Sequence, residues 1–349
     1  MNIERLVRPN ILKLKPYTAA RHSHHNGVLL DANENSYGSV ITENVPSSIN
    51  RYPDPYQKKL REGINKIYDV AVENLFFGVG SDEIIDLVIR IFCRPGIDNV
   101  IVTEPTYGMY KVACDINDIA VKNVPLTNEF DINLFEIKNA ADINTKIIFL
   151  CSPNNPTANL LNKEAVLNLI DTLDVIVVVD EAYIDFAKDE GFLKQVLNYP
   201  NLIVMRTFSK AWGLAGVRCG YCAASKEIID ILFRVKAPYN IGKLTSDAIC
   251  NAMDNIDKRD EYINLILDQR KRIDDELRAN RKILNVLPSD ANFISFKVEE
   301  PLKIFKYLEK NGIIIRDRSS QHNFAGYLRV TIGTKEENDL FLQKLNEVL

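Results

Sequence analysis

A single tryptophan and four histidines stand among 349 residues, and no apolar run approaches the roughly 18 residues that a membrane-spanning helix needs. The reading is of a chain without a transmembrane helix. Charge imbalance is scarce too. Lys and Arg number 43 against 47 Asp and Glu, a formal charge of −4. That excludes a strongly basic nucleic-acid binder and a polybasic membrane-surface protein, but not a local basic site for a small anion. The first five residues lack the apolar core of a signal peptide. What is present is a soluble-enzyme composition, 46% hydrophobic and 26% charged, too apolar for a disordered chain. The length suits about two domains and buries a large core without covalent staples.

The six cysteines are scattered and mostly lie beside apolar residues. They read as reduced, buried thiols in a cytoplasmic protein. Cys219 and Cys222 have the spacing of half a zinc site, but no second pair answers them. They also fall in a strand-like segment, where positions i and i+3 face opposite ways. His22, His24 and His25 crowd a polar segment that reads as a surface loop, with no spaced carboxylate or cysteine to complete a metal site. No metal is expected.

Along the chain, a polar arm with prolines covers residues 1–27. Short apolar runs then alternate with amphipathic stretches: strands over 74–79, 99–103, 146–151, 175–179, 202–205 and 219–223, helices over 82–93 and 162–173. Continuous apolar strands separated by helices predict an α/β fold with a mostly parallel sheet between helices. This large unit is assigned residues 28–250. From about 251 the texture changes to a smaller α+β unit, residues 251–349. It comprises a long charged helix over 258–281, strands over 292–298, 313–316 and 327–332, and helices over 301–311 and 335–348.

Ligands of open α/β sheets gather at the carboxyl ends of strands, so the residues after each strand carry the chemical signal. After 74–79 come Gly80, Ser81, Asp82 and Glu83: glycine permits a tight turn, Ser81 or Asp82 suits a helix cap, and free backbone N–H groups would cradle an anion. A plain strand–turn–helix explains the same residues. After 146–151, Pro153 and Pro156 flank Asn154 and Asn155 in a fixed bend, whose amides either face a ligand or bond the turn itself. Asp180 ends a run of five β-branched residues. Desolvated there, it needs a cationic or donor partner, supplied by a salt bridge or by a ligand's protonated nitrogen. Lys210 follows the 202–205 strand. A lysine held away from bulk water is neutral enough to condense with an aldehyde. Arg218, eight residues on, either clamps a phosphate or pairs with a surface acid. One ligand reconciles these signals. A carboxylate for a pyridinium nitrogen, a lysine for an aldehyde, and glycine, serine and arginine for a phosphate describe a pyridoxal 5'-phosphate site, with Asn155 and Tyr183 near the ring's phenolic oxygen.

On these residues the sequence resembles the fold-type I aminotransferases of the class II subfamily, large domain plus smaller α+β domain, and within them the histidinol-phosphate branch. The likeness runs nearly end to end. It includes Leu30 to Asn35, Arg51-Tyr52-Pro53-Asp54, Gly80 to Glu83, Pro105 to Tyr110, Cys151 to Thr157, Asp180 to Tyr183, Thr207 to Gly220, Ile315-Arg316-Asp317 and Leu328 to Gly333. One departure is Ala158, where the family usually has glycine; the turn geometry there is in question.

The resemblance implies an enzyme that moves an amino group reversibly between L-histidinol phosphate and 2-oxoglutarate, giving glutamate, in histidine biosynthesis, as a homodimer. Lys210 would bind the cofactor aldehyde and then shuttle a proton, while Asp180 would keep the ring nitrogen protonated. Asn155 and Tyr183 would bond the phenolate and Tyr107 would stack on the ring. Gly80, Ser81, Asp82, Ser209 and Arg218 would surround the phosphate, joined by Tyr52 from the other subunit. Arg316 and Arg329 would grip substrate phosphate or carboxylate, Tyr17 would close over it, and Asn33 and Glu34 would line its side of the site. Aromatic amino-acid aminotransferase and threonine-phosphate decarboxylase are the competing activities on this framework. A cofactor-sensing regulator would carry a DNA-binding domain ahead of the fold, for which the 27-residue arm leaves no room. A nucleotide-binding dehydrogenase fails because no G-x-G-x-x-G follows any strand.

Overall fold

The computed structural model describes residues 2–15, 30–41, 43 and 48–349. Two sheets organise them. The larger has seven strands: β1 (Leu75–Gly78), β2 (Asn99–Glu104), β3 (Ala120–Pro125), β4 (Thr145–Cys151), β5 (Ile176–Asp180), β6 (Leu202–Thr207) and β7 (Gly220–Ala224), in the order β1-β7-β6-β5-β4-β2-β3. Every pairing is parallel except those of β7, which runs antiparallel to β1 and β6. β1, β2, β4, β5 and β6 therefore end at one edge of the sheet, and β7 begins there.

Why these segments are strands follows from composition. β5 is Ile-Val-Val-Val-Asp, β-branched until its last residue and wholly buried. Such a run suits the centre of a sheet covered on both faces. Apolar residues of alternate strand positions feed two cores. On one face they meet α3 (Gly80–Phe92), α4 (Met109–Ile116) and α7 (Lys226–Val235). On the other they meet α2 (Lys58–Tyr68), α5 (Leu134–Ala140), α6 (Lys163–Thr172) and α8 (Lys243–Asp254). Cys219 joins the second core and Cys222 the first, so the two thiols do point to opposite faces. The first residues are less of a polar arm than they read: Ile3, Leu6, Val7 and Ile11, partly on α1 (Pro9–Leu12), are buried in the first core.

The second sheet has four antiparallel strands, β8 (Asn285–Val286), β9 (Phe293–Lys297), β10 (Arg316–Asp317) and β11 (Tyr327–Thr331), in the order β10-β11-β9-β8. It packs on α9 (Ile256–Ala279), α10 (Pro301–Lys310) and α11 (Lys335–Val348), the last closed by a capping box between Thr334 and Glu337. Period-two alternation splits this sheet cleanly. Ile294, Phe296, Leu328 and Val330 enter the core shared with these helices. Phe293 and Ser295 turn to the large sheet, Phe293 beside Tyr183 and Ser295 Oγ donating to the Pro156 carbonyl at 2.6 Å. Arg329, opposite Ser295, lies on that same face.

Candidate active site

The edge at which the parallel strands end holds a cavity of about 200 Å³ lined by Gly80, Ser81, Asp82, Tyr107, Cys151, Asp180, Ala182, Tyr183, Thr207, Ser209, Lys210, Ala215 and Arg218. Five strand ends contribute. No two of these residues from different strands are near in sequence, and the sheet alone brings them together.

Asp180 is the last residue of β5, 3% exposed, paired in register with Cys151 and Met205. Its carboxylate accepts from the Tyr110 hydroxyl at 2.7 Å and from the Ala182 amide at 3.1 Å. No cation stands in ion-pair range of it among the described residues. Burial raises its pKa to about 6, against the pull of these two donors. Tyr110 is itself fully buried and stacked on Phe149, which fixes the hydroxyl's aim. The sequence reading gives Tyr110 no role of its own. Its place is the first turn of α4, just past the turn that carries Tyr107, whose ring it meets edge-on with centres 5.6 Å apart.

Lys210 opens onto the cavity, its amine 5.5 Å from the Tyr183 ring centre. Desolvation lowers its pKa, the positive charges of Arg329 and Arg218 add to the effect, and Asp180 opposes it. Tyr183 is buried, which pushes its pKa up, and its hydroxyl takes a 3.3 Å hydrogen bond from Asn155 Nδ2. Asn155 Oδ1 in turn accepts from Arg329 Nη1. Asn155, Tyr183 and Arg329 thus form one chain of hydrogen bonds beside the lysine, and Arg329 also lies 5.0 Å over the Phe293 ring. The two asparagines of the proline-flanked bend divide their work. Asn154 bonds the turn, through Thr106, the Pro105 carbonyl and Thr157, and Asn155 faces the cavity side. A similar division separates Asp180 from Glu181, whose carboxylate is buried in an ion pair with Arg206 at 2.8 Å, away from the cavity.

At the mouth, Arg218 and Asp82 stand 3.4 Å apart and both are partly exposed. Tyr107, half-buried, points its hydroxyl at Asp82 from 3.4 Å, and burial raises its pKa to about 12. Gly80 has φ +73°, and a Cβ there would come 2.7 Å from the Arg218 guanidinium, so this turn requires glycine. Neither Ser81 nor Asp82 caps α3, contrary to the sequence reading. The Val79 amide is met by the Glu83 carboxylate at 2.6 Å, which leaves the Ser81 and Asp82 side chains free to line the cavity. Ala158 adopts φ 70° in place of glycine and is completely buried, so the turn keeps its left-handed geometry.

Arg316 lies directly across from Arg329 in the β10–β11 ladder, is exposed, and forms no ion pair with Asp317. Asn33, Glu34 and Tyr52 are not brought to Lys210 within the chain. They line a separate cavity of about 550 Å³ together with Arg51 and residues 242–245. Glu34 is committed there to Arg51 at 2.9 Å and to the Tyr52 amide at 2.7 Å, and Tyr52 stacks on Tyr239 with ring centres 4.4 Å apart. Tyr17, His22, His24 and His25 lie outside the described residues. Among the described residues, no cluster of His, Cys, Asp and Glu could hold a metal, and no helix is long and apolar enough to cross a membrane.

Comparison with known proteins agrees with this geometry. The profile of aminotransferase class I and II proteins matches residues 25–345. The chain belongs to the class I and II aminotransferase family. A curated histidinol-phosphate aminotransferase of Cytophaga hutchinsonii is 45% identical to it over 346 residues, covering 99% of this chain and 98% of that protein. Among solved structures, the histidinol-phosphate aminotransferase of Clostridium acetobutylicum superposes with a TM-score of 0.78 at 25% identity, over 85% of this chain and 90% of that one. The enzyme of Sinorhizobium meliloti, solved in complex with pyridoxal 5'-phosphate, gives 0.78 at 22% identity, over 91% and 89%. The mostly parallel α/β architecture is therefore that of this aminotransferase family.

Proposed function

We propose that this chain is a pyridoxal-phosphate-dependent aminotransferase that takes the amino group of L-histidinol phosphate to 2-oxoglutarate, a step of histidine biosynthesis, and works as a cytoplasmic homodimer. The observation that carries the cofactor reading is the buried Asp180 carboxylate, without a cation of its own, in the same cavity as a lysine of lowered pKa. The residues fit the group. Asp180 offers the partner that a protonated ring nitrogen needs, and the turn at Gly80 with Ser81, Asp82, Ser209 and Arg218 suits a phosphate. The substrate reading rests on 45% identity across 99% of the chain to a histidinol-phosphate aminotransferase. We also divide the chain into an arm (1–27), a large cofactor-binding domain (28–250) and a small domain (251–349).

When bound, the cofactor supplies an electron-withdrawing ring that stabilises negative charge at the substrate's α-carbon. The chain's own residues do the rest. Asp180 would hold the proton on the ring nitrogen. Asn155 and the Tyr183 hydroxyl would bond the phenolic oxygen, and Tyr107 would stack on the ring. The Lys210 amine, its pKa lowered by burial, would move the proton between the substrate α-carbon and the cofactor's aldehyde-derived carbon, which lies across the transferred nitrogen. Arg329 and Arg316 hold the anionic ends of the two substrates in turn, since a planar guanidinium grips carboxylate and phosphate alike. Tyr52, exposed and remote from Lys210 in its own chain, completes the phosphate site of the second subunit, with Tyr17, Asn33 and Glu34 on the substrate side.

An absorbance titration tests this. The purified protein should show the band of lysine-bound cofactor, lose it to the amine form of the cofactor on adding L-histidinol phosphate, and regain it with 2-oxoglutarate. Conversion by phenylalanine but not by L-histidinol phosphate would move the function to aromatic transamination. Absence of any cofactor band after adding pyridoxal phosphate would overturn the reading.

A further inference from the structure

Beyond Arg316 and Arg329, a third arginine belongs to the same surface. The chain continues past β10 with the Arg318 amide donating to the Tyr327 carbonyl at 3.0 Å, so the ladder with β11 persists. Side chains two residues apart on a strand share a face. Arg318 therefore stands on the side of Arg316 and of its partner across the ladder, Arg329, the side turned to the large sheet and Tyr183. Asp317, between them, falls on the other side and uses its carboxylate on the Ser319 amide at 2.8 Å.

This corner is poorly satisfied. Among the described residues, seven buried side-chain nitrogen or oxygen atoms lack a hydrogen-bond partner, and four of them belong to this hairpin: Arg318 Nε, Ser319 Oγ, Gln321 Oε1 and Arg329 Nε. A buried donor left unpaired is costly, so native proteins rarely keep several in one place without a ligand to meet them. No carboxylate forms an ion pair with Arg316, Arg318 or Arg329 among the described residues. Their charges bear on the two buried members, Arg318 and Arg329. Burial lowers the Arg329 pKa to about 10, with Arg318 as the next cause, and burial and Arg316 lower that of Arg318. Three guanidinium groups on one face, two of them with an orphaned Nε donor and a Ser319 hydroxyl beside them, form a site for concentrated negative charge.

We propose that Arg318 is a specificity-determining residue, the third arginine of a site that selects a phosphate dianion over a single carboxylate at the substrate's far end. This rests on the reading of the substrate given above. A phosphate monoester carries nearly two negative charges and three acceptor oxygens, enough for three guanidinium groups and the Ser319 hydroxyl. A carboxylate offers one charge and two oxygens, and leaves two of the three positive charges unneutralised where the phosphate leaves about one.

The test uses Arg318→Gln and Arg318→Lys holoenzymes, each first shown to keep the cofactor band and the thermal midpoint. In Arg318→Gln the KM for L-histidinol phosphate should rise about tenfold to a hundredfold, the worth of one charge-assisted contact, with kcat changed far less. The kcat/KM ratio of L-histidinol phosphate to L-glutamate should fall by about tenfold or more, and Arg318→Lys should recover part of it. Inorganic phosphate, added as an inhibitor of the glutamate half-reaction, should weaken by a similar factor in Arg318→Gln. An unchanged ratio together with unchanged phosphate inhibition overturns the proposal. If wild-type enzyme ignores L-histidinol phosphate, the substrate reading falls instead, and the phosphate inhibition still decides on Arg318.

Discussion

Replacing Asp180 by asparagine should make the cofactor-free protein more stable and the cofactor-loaded protein less active. The carboxylate is 3% exposed, and its pKa in the folded chain is raised from 3.8 to about 6. An acid whose folded-state pKa is raised binds its proton more tightly folded than unfolded. The folded apoprotein therefore loses stability as pH climbs from about 4 through 6. Above that window the loss amounts to about 3 kcal/mol. Asparagine removes the titration. It keeps an acceptor for one of the two donors, Tyr110 and Ala182, and gives up a charge-assisted bond of about 1.5–3 kcal/mol. A net gain of about 1 kcal/mol remains, or about 1–2 °C in melting midpoint for a chain of this size. The assay is thermal unfolding of apoprotein, stripped with a carbonyl reagent, at pH 4.5 and pH 7.5. The Asp180→Asn variant should melt above wild type at pH 7.5, and the advantage should shrink toward pH 4.5. Adding pyridoxal phosphate should reverse the order, because only wild type offers a charge to the ring nitrogen. The variant should retain cofactor and lose turnover by about a hundredfold or more, since a charge 4 Å away is worth up to about 4 kcal/mol at an effective dielectric of 20. Equal or lower apoprotein stability at pH 7.5, or an advantage independent of pH, would refute the argument that desolvation governs this carboxylate.

Three further outcomes follow from the same region. Tyr110→Phe removes one of the two donors that hold the Asp180 pKa down, so that pKa should rise by about one and cofactor affinity at pH 7 should drop about twofold, with recovery at higher pH, as a pH series of cofactor titrations would show. Glu181→Ala leaves the Arg206 guanidinium buried without its ion pair and should cost about 3–5 kcal/mol in denaturant unfolding, although Glu181 lies outside the cavity. Ala158→Gly relieves a left-handed alanine but loosens the unfolded chain and deletes a buried methyl, so chemical denaturation should register a change within about 1 kcal/mol and no loss of kcat.

The sheet was legible in the sequence because its central strands are apolar throughout. β4, β5 and β6 are buried along nearly their whole length, and each begins within one residue of the run expected for it. β3 was missed because it is an edge strand: its last four residues are Lys, Asn, Val and Pro, and only Val124 is buried. β8, two residues long, leaves no periodicity to read. In the cavity, Lys210, Asp180, Arg218 and Gly80 were foreseeable because each directly follows or ends a strand, or precedes one, at the edge where parallel strands terminate. Tyr110 and Arg318 were not, since the place of each depends on a tertiary neighbour, Asp180 for the one and the β11 strand for the other, rather than on a motif. The separation of Asn33, Glu34 and Tyr52 from Lys210 likewise depends on how the stretch from residue 30 folds against residues 242–245, for which no local pattern speaks.

The origin of the cavity's walls has a consequence for change over time. Residues from Gly80 to Arg218 all hang from the seven-stranded sheet, whereas Arg316, Arg318 and Arg329 sit on one short antiparallel hairpin of the other sheet. Its β11 strand is pinned from behind by Leu328 and Val330, which face a separate core. The hairpin is in effect a partly exchangeable cassette. On the function proposed above, Arg316 and Arg318 can drift to suit a new acceptor without touching the buried anchors, whereas Arg329, bonded to Asn155 and bearing on the Lys210 amine, ties the hairpin to the chemistry.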